Sequence, residues 1–175
     1  MLFRSSVRDI GRRLEVELEK AAVSARLQES NRLLSMAEGM AGVGHWRLDA
    51  MTGDLFWSDE VFHIHGRTIG DLPSLAEAIG AYHEDDRPVV QRCVSKALTD
   101  GEPWTFRARI ICPDGACRHV QSSGQVERAP DGTIVGVVGV FRDITDEVEA
   151  AAALLSARDE ARASAEAKSA FLATM

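Results

Sequence analysis

Three consecutive stretches in the second half of the chain alternate apolar and polar residues, and this pattern constrains the fold most. They run from Trp104 to Ile111, from Cys117 to Glu127 and from Ile134 to Asp143. A period of two is typical of β-strands with one buried face. The connecting sequences Pro113-Asp114-Gly115 and Pro130-Asp131-Gly132 favour tight turns, because aspartate and glycine adopt the backbone angles that turns require. The pattern therefore predicts three antiparallel strands.

The alternation also indicates which side chains of these strands face the core. With Ala108 opposite Val120, apolar and small residues share one face, and charged and amide side chains share the other. The predicted inner face consists of Trp104, Phe106, Ala108, Ile110, Val120, Ser122, Gly124, Val126, Val135, Val137, Gly139 and Phe141. The predicted outer face carries Arg107, Arg109, His119, Gln121 and Ser123. Because one apolar face must be covered, we expect an α+β fold with short helices on a single side of an antiparallel sheet.

A hairpin and the helices that cover the sheet are predicted before these strands. Residues His45–Asp49 and Asp54–Trp57 alternate around a glycine-containing turn and predict a hairpin. Ser58 is a good N-cap for a short helix that runs through His65. Asp85 can cap a longer helix, whose apolar positions recur every three or four residues. That helix is predicted to bury Val90, Cys93, Val94, Ala97 and Leu98.

Proline-free helical patterns flank this region on both sides. Between Phe3 and Leu34, apolar residues follow the steps of a coiled coil and predict a self-associating helix. An amphipathic helix on a membrane is the alternative, which Glu15, Glu17 and Glu19 disfavour at an anionic surface. After Thr145 the chain is alanine-rich and predicted to be helical to its end. The residues predicted to pair two chains in a homodimer are Phe3, Val7, Ile10, Leu14, Leu18, Val148 and Leu155.

Charge and composition argue against several classes of function. The chain has 20 basic and 27 acidic side chains and a net charge of -7, which disfavours nucleic acid because phosphate contacts require cations. Its longest apolar run, Ile134–Phe141, is far shorter than the about 20 residues of a transmembrane helix, so no transmembrane segment is expected. The three cysteines indicate a reducing compartment, and we expect a cytoplasmic protein. Since no catalytic motif is apparent, this chain is not expected to be an enzyme.

Five short motifs stand in order across the centre of the chain. They are Gly42-Val43-Gly44-His45-Trp46, Trp57-Ser58-Asp59-Glu60, His83-Glu84-Asp85-Asp86-Arg87, Cys112-Pro113-Asp114-Gly115 and Val138-Gly139-Val140-Phe141-Arg142-Asp143-Ile144-Thr145. Together they resemble the PAS domain family. The resemblance implies a five-stranded antiparallel sheet in the order 2-1-5-4-3, a pocket between sheet and helices, and usually a dimer. It divides the chain into a dimerisation helix (1–38), a PAS domain (39–145) and a signalling helix (146–175).

The last eight residues, Lys168–Met175, are similar to the sequence that leads into the phosphoacceptor histidine of bacterial sensor histidine kinases. This similarity implies the sensory input and dimerisation module of a two-component kinase. A downstream kinase domain and a response regulator, or other regulatory proteins, would be its partners. Asp143, Ile144 and Thr145 would transmit the signal to the last helix. Two alternatives stay open: a ligand-free PAS module for protein-protein interaction, and the input domain of a diguanylate cyclase.

The pocket that the family implies can bind a small unidentified ligand, but no cofactor is expected. The Asn-Cys-Arg-Phe motif of flavin-binding light-oxygen-voltage domains is absent, and the long helix has no histidine for haem. His63 and His65 point about 200° apart around a helix, so no metal site is expected. The candidate pocket residues are Trp46, Leu48, His65, Cys93, Ala97, Phe106, Ala108, Ile110, Ser122, Gly124, Gly139 and Phe141.

The volume of this pocket depends on a balance between small and aromatic side chains. Small side chains on the inner face leave room for a cavity, whereas the aromatic residues can fill it, and the close packing of protein interiors favours a filled or small pocket. We interpret His65 as a partly exposed residue at a helix end rather than as a polar contact inside the pocket. A disulfide between Cys112 and Cys117 is a minor alternative, because the expected register does not place the two cysteines opposite each other.

Overall fold

The computed structural model describes residues 3–175, with side chains from Gly11 onward, and the chain divides into two units. The first unit contains helix α1, Phe3–Ala41. Two of its predicted pairing residues, Leu14 and Leu18, have exposed side chains. The other predicted pairing residues of this helix have side chains outside the described part, namely Phe3, Val7 and Ile10.

Helix α1 is longer than predicted. The prediction ended it at residue 38, before Gly39, but the helix continues to Ala41. A single glycine inside a helix costs only about 1 kcal/mol. Gly42, in contrast, has a φ of +60°, the left-handed conformation that commonly follows a helix. The helix therefore ends at the glycine whose backbone leaves the helical region.

Five antiparallel strands form one sheet in the second unit, in the order β2-β1-β5-β4-β3. They are β1 (Val43–Asp49), β2 (Leu55–Trp57), β3 (Trp104–Ile111), β4 (Cys117–Arg128) and β5 (Ile134–Asp143). The predicted fold class and strand order are confirmed. Ala108 lies opposite Val120 as predicted, so the alternating apolar residues of β3 and β4 face the core.

The second unit also contains helices α2 (Asp59–Ile64), α3 (Leu75–Gly80), α4 (Arg87–Asp100) and α5 (Thr145–Ala173). The helices α2, α3 and α4 pack on the inner face of the sheet. Residues buried in the core between them include Leu48, Trp57, Val61, Phe62, Tyr82, Val90, Ala97, Trp104, Phe106, Ala108, Ile110, Val120, Val137 and Phe141. Within residues 3–175, no helix is long and apolar enough to cross a membrane.

Ser58, the predicted cap of α2, connects two elements of the fold. It occupies the N-cap position, but its hydroxyl accepts a hydrogen bond from the backbone amide of His45 on β1, with an N to O distance of 3.0 Å. The residue thereby fixes the start of α2 to the neighbouring strand. The helix ends at Ile64, before the predicted end at His65.

Asp86, rather than the predicted Asp85, precedes helix α4, and its carboxylate binds the sheet. Its Oδ2 accepts hydrogen bonds from the backbone N and the Nε of Arg109 at 2.8 and 2.9 Å, and its Oδ1 accepts from Nη2 at 2.9 Å. The bonds from the Arg109 side chain lower the pKa of Asp86 to about 2, because they favour the charged carboxylate. This pair fixes the start of α4 to β3.

Asp86→Ala is expected to lower the free energy of unfolding at pH 7 by about 1–3 kcal/mol, because partly buried donors of Arg109 lose their acceptor. Since the folded-state pKa of Asp86 lies below its ordinary value of 3.8, this stabilisation is present above about pH 4 and is lost as the pH falls towards 2. Urea unfolding at pH 7 and pH 3 measures both effects. Asp85→Ala is the matched control, because the Asp85 side chain is 67% exposed. Equal losses at pH 7 for the two variants would contradict the prediction.

Candidate functional site

A small cavity lies between the inner face of the sheet and helices α2, α3 and α4, with a volume of about 50 Å³. Its lining is aromatic and aliphatic except for His65 and Ser122. A water molecule takes up about 30 Å³ of liquid water, and pockets for drug-sized ligands have volumes of about 300–1,000 Å³. The space therefore fits one or two atoms of water size or part of a small organic molecule.

His65 follows the last residue of α2, and its ring lies inside the core with 5% exposure. The imidazole is stacked between Trp57 and Phe141, with ring centroids 4.3 and 4.8 Å away. Its Nδ1 lies 2.9 Å from the carbonyl oxygen of Val61. Nδ1 donates to that oxygen, which leaves Nε2 as an acceptor in the neutral ring. Burial lowers the pKa of His65 to about 4, so the ring is neutral at pH 7.

The interpretation of His65 as a partly exposed residue is therefore wrong. Its position at a helix end suggested exposure, but two flat aromatic rings cover both faces of the imidazole. The hydrogen bond to Val61 satisfies the buried ring N–H. A neutral histidine can then be buried at low cost, which local sequence did not indicate.

Two tryptophans occupy the space that glycines leave on the inner face. Gly124 and Gly139 lie opposite each other on β4 and β5. On their other sides, Gly124 pairs with Trp104 and Gly139 pairs with Trp46. The two indole rings approach each other with centroids 5.8 Å apart. A Cβ atom at either glycine would overlap the ring that covers it, so these small residues admit aromatic rings instead of leaving an open pocket.

Two polar atoms beside the cavity have no hydrogen-bond partner among the described residues, Ser122 Oγ and Trp104 Nε1. Ser122 is 1% exposed and Trp104 is 8% exposed. Burial of an unpaired polar group costs about 1–3 kcal/mol. An occupant that offers an acceptor to Trp104 Nε1 and a partner to Ser122 Oγ would remove that cost. The lining is thus suited to a small uncharged molecule that carries a polar atom.

The structure brings only some of the predicted pocket residues together. Those that line the cavity are Trp46, His65, Phe106, Ser122 and Phe141. Four others, Leu48, Ala97, Ala108 and Ile110, are buried elsewhere in the core. Cys93 is partly buried on α4, and Gly124 and Gly139 lie beneath the tryptophans.

The cavity residues on helix α3 were not predicted. They are Leu75, Ala78 and Ile79. A local signal for this helix exists, because the side chains of Ser74 and Glu77 form a capping box at its start. Serine followed three residues later by glutamate, with apolar residues at helical spacing, is a recognised start signal.

The last strand and the last helix meet at a junction formed by Asp143, Ile144 and Thr145. Oδ1 of Asp143 accepts hydrogen bonds from the backbone N of Thr145 at 2.9 Å and from its hydroxyl at 2.5 Å. The Thr145 hydroxyl in turn accepts from the backbone N of His119 on β4, at 2.9 Å. The backbone N of Ile144 donates to the His119 carbonyl at 2.8 Å. The junction is therefore hydrogen-bonded to β4 as well as continuous with β5.

The cysteines lie in different environments. Cys112 is buried and Cys117 is exposed, and Cys117 pairs with Ile111 on the exposed face of the sheet. The disulfide alternative finds no support, because the two side chains lie on different faces. Burial raises the pKa of the Cys112 thiol. The described part of the chain contains no group of three or more histidine, cysteine or acidic residues arranged for a metal ion.

The outer face of the sheet carries an open groove of about 700 Å³. Two apolar side chains in this outer groove, Phe56 and Val140, are 51% and 47% exposed. At its edge, the Nε of Arg47 lies 2.6 Å from Oε2 of Glu127. An apolar floor with a polar rim is typical of surfaces that contact other proteins.

Residues 54–141, about half of the chain, match the sequence profile of a family described as the PAS fold. A blue-light-activated histidine kinase of Brucella ovis is 25% identical over 144 residues, which cover 82% of this chain and 29% of that protein. The corresponding kinase of Brucella abortus gives the same values, 25% over 144 residues and 29% of its length. The chain thus spans less than a third of the length of these relatives.

Solved structures with the same fold include sensory domains. A sensory box histidine kinase/response regulator from Burkholderia thailandensis has a TM-score of 0.58 and 28% identity, covering 74% of this chain and 97% of that one. The N-terminal domain of a diguanylate cyclase with a PAS/PAC sensor, from Marinobacter aquaeolei, has a TM-score of 0.55 and 20% identity, covering 60% of this chain and 97% of that one. At 20% identity the second likeness shows the fold alone.

Proposed function

Because this chain belongs to the PAS fold family, we propose that it is the sensory input and dimerisation module of a two-component sensor histidine kinase. The observation that carries the proposal is the junction, where Asp143 and Thr145 join the last strand of the sensor to helix α5. The resemblance of Lys168–Met175 to the sequence before a phosphoacceptor histidine supports a kinase as the output. The similarity to histidine kinases of Brucella and Burkholderia supports the same class.

In this proposal, two chains pair through helices that are exposed in the single chain. On α5, Val148 is partly buried and Leu155 is 53% exposed. Continuing the coiled-coil steps from Val148 and Leu155 brings Arg158, Arg162 and Ser169 onto the same face, so pairing by this helix alone is weak. Weak pairing suits a switch, because a signal can shift only an equilibrium between states of similar free energy. The kinase domain that follows would then phosphorylate a response regulator in the cytoplasm.

Asp143→Ala in the complete kinase is expected to change the rate of autophosphorylation about tenfold, which corresponds to about 1.4 kcal/mol of activation free energy. The change removes the acceptor that orients Thr145 at the start of α5. The melting temperature is expected to fall by only a few degrees, because no apolar core is lost. Asp146→Ala is the matched control, since Asp146 is an exposed residue of the same helix turn. An unchanged rate, or a loss of stability large enough to account for the whole change in rate, would overturn the proposal.

We propose that the cavity binds neither flavin nor haem but can accept a small uncharged ligand. The support is the volume of about 50 Å³ and a lining without charged side chains. The unpaired Ser122 Oγ and Trp104 Nε1 would be the polar contacts of such a ligand. An absorption band beyond 350 nm in the purified chain would overturn the proposal that no chromophore binds.

A second candidate function is a ligand-free module for contact with another protein. The exposed Phe56 and Val140 in the outer groove favour it. A kinase whose output responds to Val140→Ser but not to Ser122→Ala would point to this function. A diguanylate cyclase as the output is the remaining alternative, and assays of the complete protein for autophosphorylation and for cyclic diguanylate synthesis distinguish the two.

A further inference from the structure

One arginine contacts both the helix that ends at the cavity and the junction before α5. The Nη1 of Arg118 on β4 donates hydrogen bonds to the carbonyl oxygens of His63 and Ile64 at 2.9 and 3.0 Å. The same atom lies 3.8 Å from Oδ2 of Asp143. Carbonyl groups at a helix C-terminus lack partners within the helix and carry partial negative charge, so a guanidinium satisfies them well.

The helix end that Arg118 binds is directly joined to the cavity. Ile64 is followed by His65, whose ring lies between Trp57 and Phe141. The peptide group between Ile64 and His65 is planar and rigid. A change in the contents of the cavity that shifts the His65 backbone, and not only its ring, therefore displaces the Ile64 carbonyl that Arg118 holds.

Arg118 also lies next to the junction before α5. Arg118 faces the Asp143 carboxylate, and that carboxylate orients Thr145 through two hydrogen bonds. The next residue of β4, His119, donates its backbone N–H to the Thr145 hydroxyl. Two consecutive residues of β4 thus contact the end of α2 and the start of α5.

We propose that Arg118 couples the cavity to the output helix. Displacement of His65 moves the carbonyls at the end of α2, Arg118 follows them and changes its distance to Asp143, and the start of α5 shifts in response. Arg118 and Asp143 are 33% and 30% exposed, so water partly screens their pair and the two arrangements differ little in free energy. The biological meaning of this coupling rests on the proposed function, whereas the coupling itself can be measured in the isolated chain.

A competing route runs through the sheet. The Phe141 ring is stacked on His65, and Phe141 lies two residues before Asp143 on β5. A displacement of His65 could therefore reach the junction along the β5 backbone without Arg118. An experiment must separate these two routes.

The test follows the backbone amide NMR resonances of residues 145–148 in the chain of 175 residues. His65→Phe serves as the perturbation of the cavity, because it keeps a flat ring but removes the hydrogen bond to Val61. Its effect is measured in the unmodified chain, in Arg118→Gln and in Arg107→Gln. Arg107 is the matched control, since it is also a sheet arginine and its side chain bonds Gln121 on the outer face.

Coupling through Arg118 predicts that His65→Phe shifts these amide resonances in the unmodified chain and in Arg107→Gln, and that the shifts are lost in Arg118→Gln. Equal shifts in all three backgrounds would overturn the inference and favour the route along β5. If Arg118→Gln does not fold, Arg118→Lys is used instead. The resonance shifts caused by His65→Phe are then expected to be smaller than in the unmodified chain but still present. The Asp143→Ala assay in the complete kinase tests the proposed function separately, because it does not depend on how the cavity reaches the junction.

Discussion

Phe141→Ala is expected to reduce the free energy of unfolding by about 3–5 kcal/mol. Phe141 is 2% exposed on β5, and its ring centroid lies 4.8 Å from that of His65 and 6.5 Å from that of Tyr82. Truncation removes apolar area from the core and leaves a void that these rings cannot close without moving. Because small domains have a total stability of about 5–15 kcal/mol, the variant is expected to be marginally stable. Urea unfolding followed by circular dichroism measures the loss.

Val140→Ala is the control for this prediction. Val140 precedes Phe141 on the same strand but lies on the outer face, where it is 47% exposed. Its truncation is expected to change the free energy of unfolding by about 0.5 kcal/mol or less, the usual range for exposed sites. Similar losses for the two variants would show that the inner face of β5 does not form the core.

The division of the sheet into two faces was predictable because strand side chains alternate strictly. With Ala108 opposite Val120, a shift by one residue would turn Trp104 and Phe106 towards water. Alternation therefore excludes every register shifted by an odd number of residues, and the observed register is one of those that bury the apolar residues. The turns on either side of β4 contain aspartate and glycine, which narrowed the choice further.

The filling of the core was not predictable in the same way. A glycine in a strand indicates free space or a close approach, and the sequence does not say which. The predicted register places Trp104 opposite Gly124 but does not say that the indole ring folds over it, and Gly139 is covered by Trp46, which lies on the distant strand β1. The inward ring of His65 likewise depends on Trp57 and Phe141. Such contacts depend on side-chain shape across several elements, and local periodicity carries no information about them.

Polar side chains at helix starts show a second limit of local reasoning. Ser58, Asp85 or Asp86, and Thr145 all have the residue types that favour N-caps, each worth about 1 kcal/mol. In the structure, Ser58 bonds a strand amide, Asp86 bonds Arg109 and Thr145 bonds Asp143. Hydrogen bonds to distant or charged groups are worth as much as a cap or more. A capping sequence therefore located the helix starts to within a residue or so but did not identify the partner of the side chain.

Gly44→Ala is expected to destabilise the domain by about 1–3 kcal/mol, the usual cost of overpacking. Gly44 is a buried residue of β1. A Cβ atom there would lie 2.6 Å from Cγ2 of Val61 and 2.7 Å from its backbone N. Because one of these atoms belongs to the backbone, rotation of a side chain cannot relieve the overlap, and α2 must move away from β1. Thermal unfolding followed by tryptophan fluorescence measures the change.

Gly80→Ala is the matched control for the same substitution, because a Cβ atom at Gly80 meets no atom within 4 Å. Its free energy of unfolding is expected to stay unchanged or to rise by up to about 1 kcal/mol, because alanine favours a helix more than glycine does. A movement of α2 in Gly44→Ala would also draw His65 away from Trp57, so the fluorescence of the folded state should change in this variant alone. An unchanged stability of Gly44→Ala would mean that α2 does not pack on β1 as closely as described, and the position of His65 in the cavity would then lose its structural support.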